Sequence, residues 1–137
     1  TETGGSVYDL GPLEPTLSSF LSKFPLATFT ALFRPFLTEG RKGVILLASL
    51  ETTFMIILFI YLSFRHNIFK IIRRIYKERV LFYFFVLSIF LLAFIGLTSG
   101  NFGNLVRYRV PPYFFFWIIF FVAVQKVAYE ADHRRRR

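Results

Sequence analysis

The sequence predicts an all-α integral membrane protein with three transmembrane helices and additional amphipathic helices at the membrane interface. Of its 137 residues, 55% are hydrophobic, 20 are phenylalanine, and the mean hydropathy is +0.54. Three long apolar runs are separated by short polar or basic segments. Spans of about 20 residues each would fill roughly half of the chain. The runs are continuous rather than alternating, which favours helices over the strands of a membrane barrel.

Each apolar run has a length and flanks suited to a span. Residues 44–64 form a run of 21 residues, and residues 80–97 form one of 18 that ends at the turn sequence TSGN. The third run, residues 110–124, has only 15 residues. It reaches spanning length if the side chain of Lys126 extends to the membrane surface and the helix continues to Tyr129. Its two prolines suit a first helical turn, where a missing N–H costs nothing.

The segment before the first span divides into an arm and a helical part. Residues 1–15 are rich in Gly and Pro, which predicts an irregular arm. In residues 16–38, apolar side chains recur at helical spacing. This predicts two short amphipathic helices, with Pro25 kinking or separating the two halves and Pro35 ending the second. Such helices lie either in the interface or against other helices of the same complex.

The predicted organisation has two regions. Residues 1–43 form the extracytoplasmic arm and interfacial helices, and residues 44–137 form the transmembrane region, with a basic cytoplasmic loop at residues 65–79. The chain begins with Thr1, and no signal peptide precedes the first Gly residues. We therefore expect a part of a longer protein or a processed product.

The segment between the first two spans is strongly basic. At about 100° per residue, the apolar side chains of residues 66–79 share one face of a helix and the cations share the other. This pattern predicts a helix that rests on an anionic leaflet. The simpler alternative is a positively charged loop. The cations expected to contact anionic lipids are Lys70, Arg73, Arg74 and Lys77.

The distribution of charge predicts the orientation. The 65–79 segment and the C-terminal region share a side and carry eleven of the 17 Lys and Arg residues, whereas the other side carries six. The positive-inside rule therefore places the C-terminus and this segment in the cytoplasm. Because the net charge of +9 is explained by this topology, membrane lipids rather than nucleic acid are the predicted partners.

Most classes of catalytic site are excluded by the sequence. It has no cysteine, which excludes disulfides, zinc–thiolate sites, iron–sulfur clusters and c-type haem attachment. It has no GxGxxG, P-loop, HExxH or GxSxG motif. His66 and His133 lie in basic stretches, where a metal site is not expected. No metal or other cofactor is predicted.

Arginines on the outward side form the first candidate site. Arg34, Arg107 and Arg109 lie where the positive-inside rule disfavours them, and Asn101 accompanies them. A guanidinium presents a planar fork of donors suited to phosphate or diphosphate. The prolines that follow bias this backbone toward an extended form, which would turn Arg107 and Arg109 the same way. The alternative is that these arginines anchor to lipid headgroups.

Glu51 is a second candidate because it interrupts the first span. It lies seven residues into the run, about 10 Å below the outward boundary at 1.5 Å per residue. A carboxylate at that depth costs a few kcal/mol unless it is paired, protonated or hydrated. An ion pair with Arg107 or Arg109 would remove this cost. A structural role and a functional role are both open.

Two stretches resemble a known group of membrane proteins. LFRPFLTE at residues 32–39, followed by LLASLE at residues 46–51, is similar to an FRPF-x-x-E…alE pattern. NFGNLVRYRVPPYFFF at residues 101–116 is similar to an NFGxLVRYRxP pattern. Both resemble the C-terminal part of multi-pass bacterial membrane proteins that act as polysaccharide polymerases or glycosyltransferases on lipid-linked sugars. The matches cover under a third of the chain.

The resemblance implies chemistry on a polyprenyl-diphosphate-linked glycan at the outer side of a bacterial inner membrane. The residues it assigns to the diphosphate and to the charge of the leaving group are Arg34, Asn101, Arg107 and Arg109. Glu39 or Glu51 would accept a proton from the incoming hydroxyl. Such enzymes have many more than three spans. The chain would therefore be one portion of the active site, with upstream helices or other subunits as partners.

Two other functions stay open, and the sequence does not decide whether the chain is an enzyme. The first is a non-catalytic accessory subunit that scaffolds a larger membrane complex. The many Phe and few small residues favour lipid-facing or subunit-facing surfaces over close helix packing. The second is a part of a channel or transporter with Glu51 on the pathway.

Overall fold

The computed structural model describes residues 14–39, 43–99 and 102–137, and within them the chain is helical with no strand. The six helices in this part of the chain are α1 (Leu17–Phe33), α2 (Gly43–His66), α3 (Ile68–Lys77), α4 (Arg79–Thr98), α5 (Phe102–Tyr108) and α6 (Val110–Arg135). The all-α fold class predicted from the sequence is confirmed.

Three of these helices are long and apolar enough to cross a membrane, namely α2, α4 and α6. They coincide with the three predicted spans. As predicted, α6 begins with prolines in its first turn and continues past Lys126, ending at Arg135. Residues 1–13 of the predicted arm and the predicted site residue Asn101 lie outside the described residues.

The predicted basic helix is also confirmed, and it begins immediately after the first span. Asn67 interrupts the helix with a left-handed backbone, φ 63°, and its side chain accepts a hydrogen bond from the Phe69 amide at 3.1 Å. An asparagine tolerates this conformation better than most residues. In α3, Ile71 and Ile75 are buried against the bundle, and the cations lie on more exposed positions.

The prediction of two short helices before the first span is wrong, because α1 is a single helix that contains Pro25. Its N-cap is Thr16, whose hydroxyl accepts a hydrogen bond from the Ser19 amide at 3.4 Å. Pro25 removes one backbone hydrogen bond and costs about 3 kcal/mol inside a helix. Packing offsets this cost, since α1 lies along α4 and its Ala27 backbone touches Gly96.

The core of the molecule is centred on α6. Trp117 is fully buried and contacts the rings of Phe59, Phe116 and Phe120 edge to face at 5.2 to 6.0 Å. The end of α1 joins the same core through Leu32. The described part of α1 therefore packs against other helices of this chain. By contrast, the outer faces of α2 and α4 expose large apolar side chains, as suits a lipid environment.

Candidate functional site

The most buried charge in the described chain is Arg109, which marks one end of the helix bundle. We call this the Arg109 end. The guanidinium is 2% exposed. It donates hydrogen bonds to the carbonyl oxygen of Ala31 at 2.9 Å, to that of Arg34, and to the hydroxyl of Thr52 at 2.9 Å. Its central carbon also lies 4.6 Å from the centre of the Tyr113 ring. Arg109 thus joins the end of α1 to α2 and to the start of α6.

The predicted extended backbone around Arg109 is wrong. Residues Phe102–Tyr108 form α5, and Arg109 itself is helical at φ −73° and ψ −13°. Its amide donates to the carbonyl of Leu105, and its carbonyl accepts from the amide of Tyr113. Side chains two positions apart on a helix point in directions about 200° apart. Consequently, Arg107 is exposed while Arg109 is buried, and the two side chains do not converge.

Arg109 is committed to protein groups rather than to an external anion. Burial lowers the pKa of its guanidinium below the ordinary value, and the charge of Glu51 acts in the opposite direction. An arginine keeps its proton even so. The buried cation is therefore stabilised by its protein acceptors and by the aromatic ring beside it. In this arrangement its role is to hold helices together.

Arg34 and Glu39 form an ion pair immediately after α1. The Nε of Arg34 lies 3.2 Å from a carboxylate oxygen of Glu39, and the same oxygen accepts a hydrogen bond from the Phe36 amide at 2.9 Å. The Arg34 guanidinium also lies 5.0 Å from the centre of the Phe102 ring. About a quarter of each charged side chain is exposed. This pair is therefore partly open to solvent, unlike the buried Arg109.

Glu39 is a weak candidate for a general base. Burial raises the pKa of its carboxyl, but the hydrogen bonds and charge of Arg34 and the Phe36 amide outweigh burial and bring the pKa below its ordinary value. A general base works best with a pKa near the operating pH. The geometry instead suits Glu39 to holding the Arg34 guanidinium in place.

Glu51 lies on the exposed side of α2, and the predicted ion pair with Arg107 or Arg109 is not formed. The neighbouring Thr52 is buried and faces Arg109. Glu51 shares its side of the helix with exposed apolar residues one turn away, Leu47 and Phe54. The structure therefore leaves a single carboxylate on an otherwise apolar stripe of a membrane-spanning helix.

Three residues at this site were not predicted from the sequence, namely Thr52, Phe102 and Tyr113. Thr52 and Tyr113 contact Arg109, and Phe102 contacts Arg34, both arginines of the predicted site. A hydroxyl within an apolar span, directly after Glu51, was the available signal for Thr52. The two aromatic residues stand among many others, and nothing in their spacing distinguishes them as cation partners.

The opposite end of the bundle, which carries α3 and the end of α6, holds a network of charges. We call it the basic end. The carboxylate of Glu78 accepts hydrogen bonds from Arg74 at 2.7 Å and from Lys126. Arg74 also pairs with Glu130 of α6. Of the four cations predicted to contact anionic lipids, Arg74 is thus directed to protein carboxylates, whereas Lys70, Arg73 and Lys77 are exposed.

Within residues 14–39, 43–99 and 102–137, no group of three His, Asp or Glu side chains is arranged to hold a metal ion. No family model, curated protein or solved structure matched the chain.

Proposed function

We propose that the chain works within a larger assembly of the bacterial inner membrane that acts on polyprenyl-diphosphate-linked glycans. The observation that carries this proposal is Glu51, an exposed carboxylate on the apolar stripe of α2 whose charge acts on Arg109 but which forms no ion pair within the described residues. Such a group is costly against lipid unless it is hydrated, protonated or paired. This part of α2 therefore needs a polar neighbour, which a partner helix or a polar substrate at the membrane surface would supply.

In this proposal the charged residues at the Arg109 end have separate roles. Arg34 and Arg107 bind the diphosphate, because their guanidinium groups are accessible and carry the donors that phosphate oxygens require. Glu51 accepts the proton of the attacking hydroxyl. Glu39 positions Arg34, and Arg109 positions the end of α1 against α2.

The proposed orientation places the Arg109 end outward and the C-terminus in the cytoplasm. Its support is the asymmetry of charge, with eleven Lys and Arg residues toward the basic end and six toward the other. A polyprenyl-diphosphate glycan presented at the outer surface would then meet Arg34 and Arg107.

The second candidate function is that of a non-catalytic subunit that scaffolds a membrane complex. A specific observation favours it, since Arg109 and Arg74, both predicted to bind anions, donate to groups of the protein itself. A carboxylate in the position of Glu51 would then pair with a cation of a neighbouring subunit rather than with a substrate.

The experiment that separates the two functions compares Glu51→Gln with Asp132→Asn in the native assembly. Asp132 lies on the exposed C-terminal turns of α6, far along the chain from the Arg109 end. We expect Glu51→Gln to lower glycan product by about a hundredfold, as the loss of a general base does, with unchanged subunit composition. Asp132→Asn should leave the product unchanged. Full activity of Glu51→Gln combined with loss of co-purifying subunits would favour the scaffold.

A further inference from the structure

A groove of about 710 Å³ opens at the basic end, far from the residues of the proposed function. Its walls come from the end of α2, from α3 and from the last turns of α6. The cations that line it are Arg65, Lys70, Arg73, Arg74, Lys77 and Arg134. We call this space the basic groove.

The charge of the basic groove is almost unopposed. Among the described residues that line it, Glu130 is the only one with a carboxylate, and it is paired with Arg74. The other five cations are exposed, and within the described part of the chain none of them forms an ion pair. Like charges brought together around one space repel each other, so an anion that enters the groove relieves this repulsion.

Apolar side chains also line the groove. Phe64, on the last turns of α2, is 87% exposed, and Val127 of α6 is buried. Both helices are candidate membrane spans. Charged helix ends that follow apolar spans are expected near the lipid headgroups, so a lipid in the groove would have both charged and apolar side chains within reach.

We propose that the basic groove binds two phosphate groups of one ligand, carried by the headgroup of an anionic lipid. Its volume far exceeds that of a single phosphate, and five available cations match two phosphates better than one. Exposed Phe64 offers a surface for the lipid chains. A site built by three helices also differs from a helix that rests on an anionic leaflet, because it binds one molecule in one place.

The test uses the full chain in neutral detergent, titrated with diphosphatidylglycerol, with bound lipid counted by native mass spectrometry. Phosphatidylglycerol at twice the concentration supplies equal charge without two linked phosphates. The groove variant carries Arg65→Gln, Arg73→Gln and Arg134→Gln. The matched control carries Arg79→Gln, Arg135→Gln and Arg137→Gln, which removes the same charge from positions outside the groove.

We expect one diphosphatidylglycerol per chain, bound more tightly than phosphatidylglycerol. The groove variant should bind it at least about tenfold more weakly, and the control variant within about twofold of the unmodified chain. Should the triple variant fail to fold, the three single groove variants should each weaken binding about fivefold. Equal weakening by both triple variants, or equal binding of the two lipids, would overturn the proposal.

A second titration with sodium pyrophosphate identifies the source of the phosphates. A lipid site predicts that pyrophosphate alone binds at least about tenfold more weakly than diphosphatidylglycerol, because the rim at Phe64 then contributes nothing. If pyrophosphate binds as tightly as the lipid and the groove variant weakens both, the ligand is a soluble diphosphate and the lipid assignment is wrong.

Discussion

The two ends of the bundle use arginine in opposite ways. At the Arg109 end, one guanidinium is withdrawn from solvent and donates to three acceptors, two at the end of α1 and one in α2. At the basic end, most of the cations are exposed around an open groove, and the ion pairs that form there are partly hydrated. Burial, rather than residue type, therefore decides whether an arginine donates to groups of the protein or stays open to solvent.

This difference has an energetic consequence. A buried charge that loses its partner, or a buried acceptor that loses its charge, leaves a desolvated polar group and costs several kcal/mol. An exposed cation that is removed is replaced by water and costs little. The same substitution should therefore have very different effects at the two kinds of position.

The largest expected effect is that of Arg109→Met. The substitution leaves the carbonyl of Ala31 and the hydroxyl of Thr52 without their donor in a buried site. We expect the free energy of unfolding, measured by denaturing-detergent titration in mixed micelles, to fall by about 3 kcal/mol or more.

The control for Arg109 is its near neighbour Arg107. Arg107→Met removes the same charge from an exposed position of α5 and should change the free energy of unfolding by less than about 0.5 kcal/mol. Equal losses for the two variants would show that charge at this end matters more than burial, and the comparison between the ends would fail.

The next effect tests whether the Arg109 end depends on close packing as well as on buried hydrogen bonds. A Cβ added at Gly96 would lie 2.9 Å from the carbonyl carbon of Ala27 and nearer still to its oxygen, so α1 and α4 would have to separate. We expect Gly96→Ala to lower the free energy of unfolding by about 2 kcal/mol. The result would be measured by the same titration.

Gly43 provides the matched glycine. It also lies in a helix of the Arg109 end, but a Cβ added there meets no atom within 4 Å. Gly43→Ala should therefore leave the protein equally stable or stabilise it by up to about 1 kcal/mol, because alanine is the better helix former. Destabilisation by Gly43→Ala as large as that by Gly96→Ala would contradict the close approach of α1 and α4.

The spans and the basic helix were predictable because their signals are local. Apolar length predicts α2, α4 and α6, and the 3.6-residue period predicts α3. The continuity of α1 was not predictable. The local sequence shows that Pro25 destabilises a helix, but the packing that offsets this cost involves Gly96, 71 residues later in the chain. The exposed apolar side chains of α2 and α4 agree with the expected lipid-facing or subunit-facing surfaces, and Gly96 adds one close approach that composition did not indicate.

The candidate sites were predictable as residues but not as an arrangement. The sequence indicates the arginines as candidates, yet the acceptors of Arg109 lie 57 to 78 residues away along the chain. Whether a cation is buried depends on such distant contacts. The same limit applies to the basic groove, where Arg65 and Arg134 join α3 only because the bundle brings the ends of α2 and α6 together.

The smallest expected effect concerns the basic end, where Glu78 joins α3 to α6. Hydrogen bonding from Lys126, followed by that from Arg74, brings the pKa of the Glu78 carboxyl below its ordinary value of 4.5 despite some burial. A carboxyl whose pKa is lower in the folded state than in the unfolded state stabilises the folded state at pH values above its pKa in the unfolded state. This stabilisation is lost as the pH falls through the pKa of the folded state. We therefore expect the unmodified chain to lose stability as the pH is lowered below about 4.5.

Glu78→Gln removes this contribution, so its stability should fall less steeply below that pH than the stability of the unmodified chain. Glu39→Gln is the counterpart at the Arg109 end, where the pKa of the carboxyl is also lowered. Added salt should reduce the effect at Glu78, whose pair is partly hydrated, because it screens exposed charges. If Glu78→Gln kept the full acid dependence, the ion pairs of the basic end would contribute nothing to joining α3 and α6.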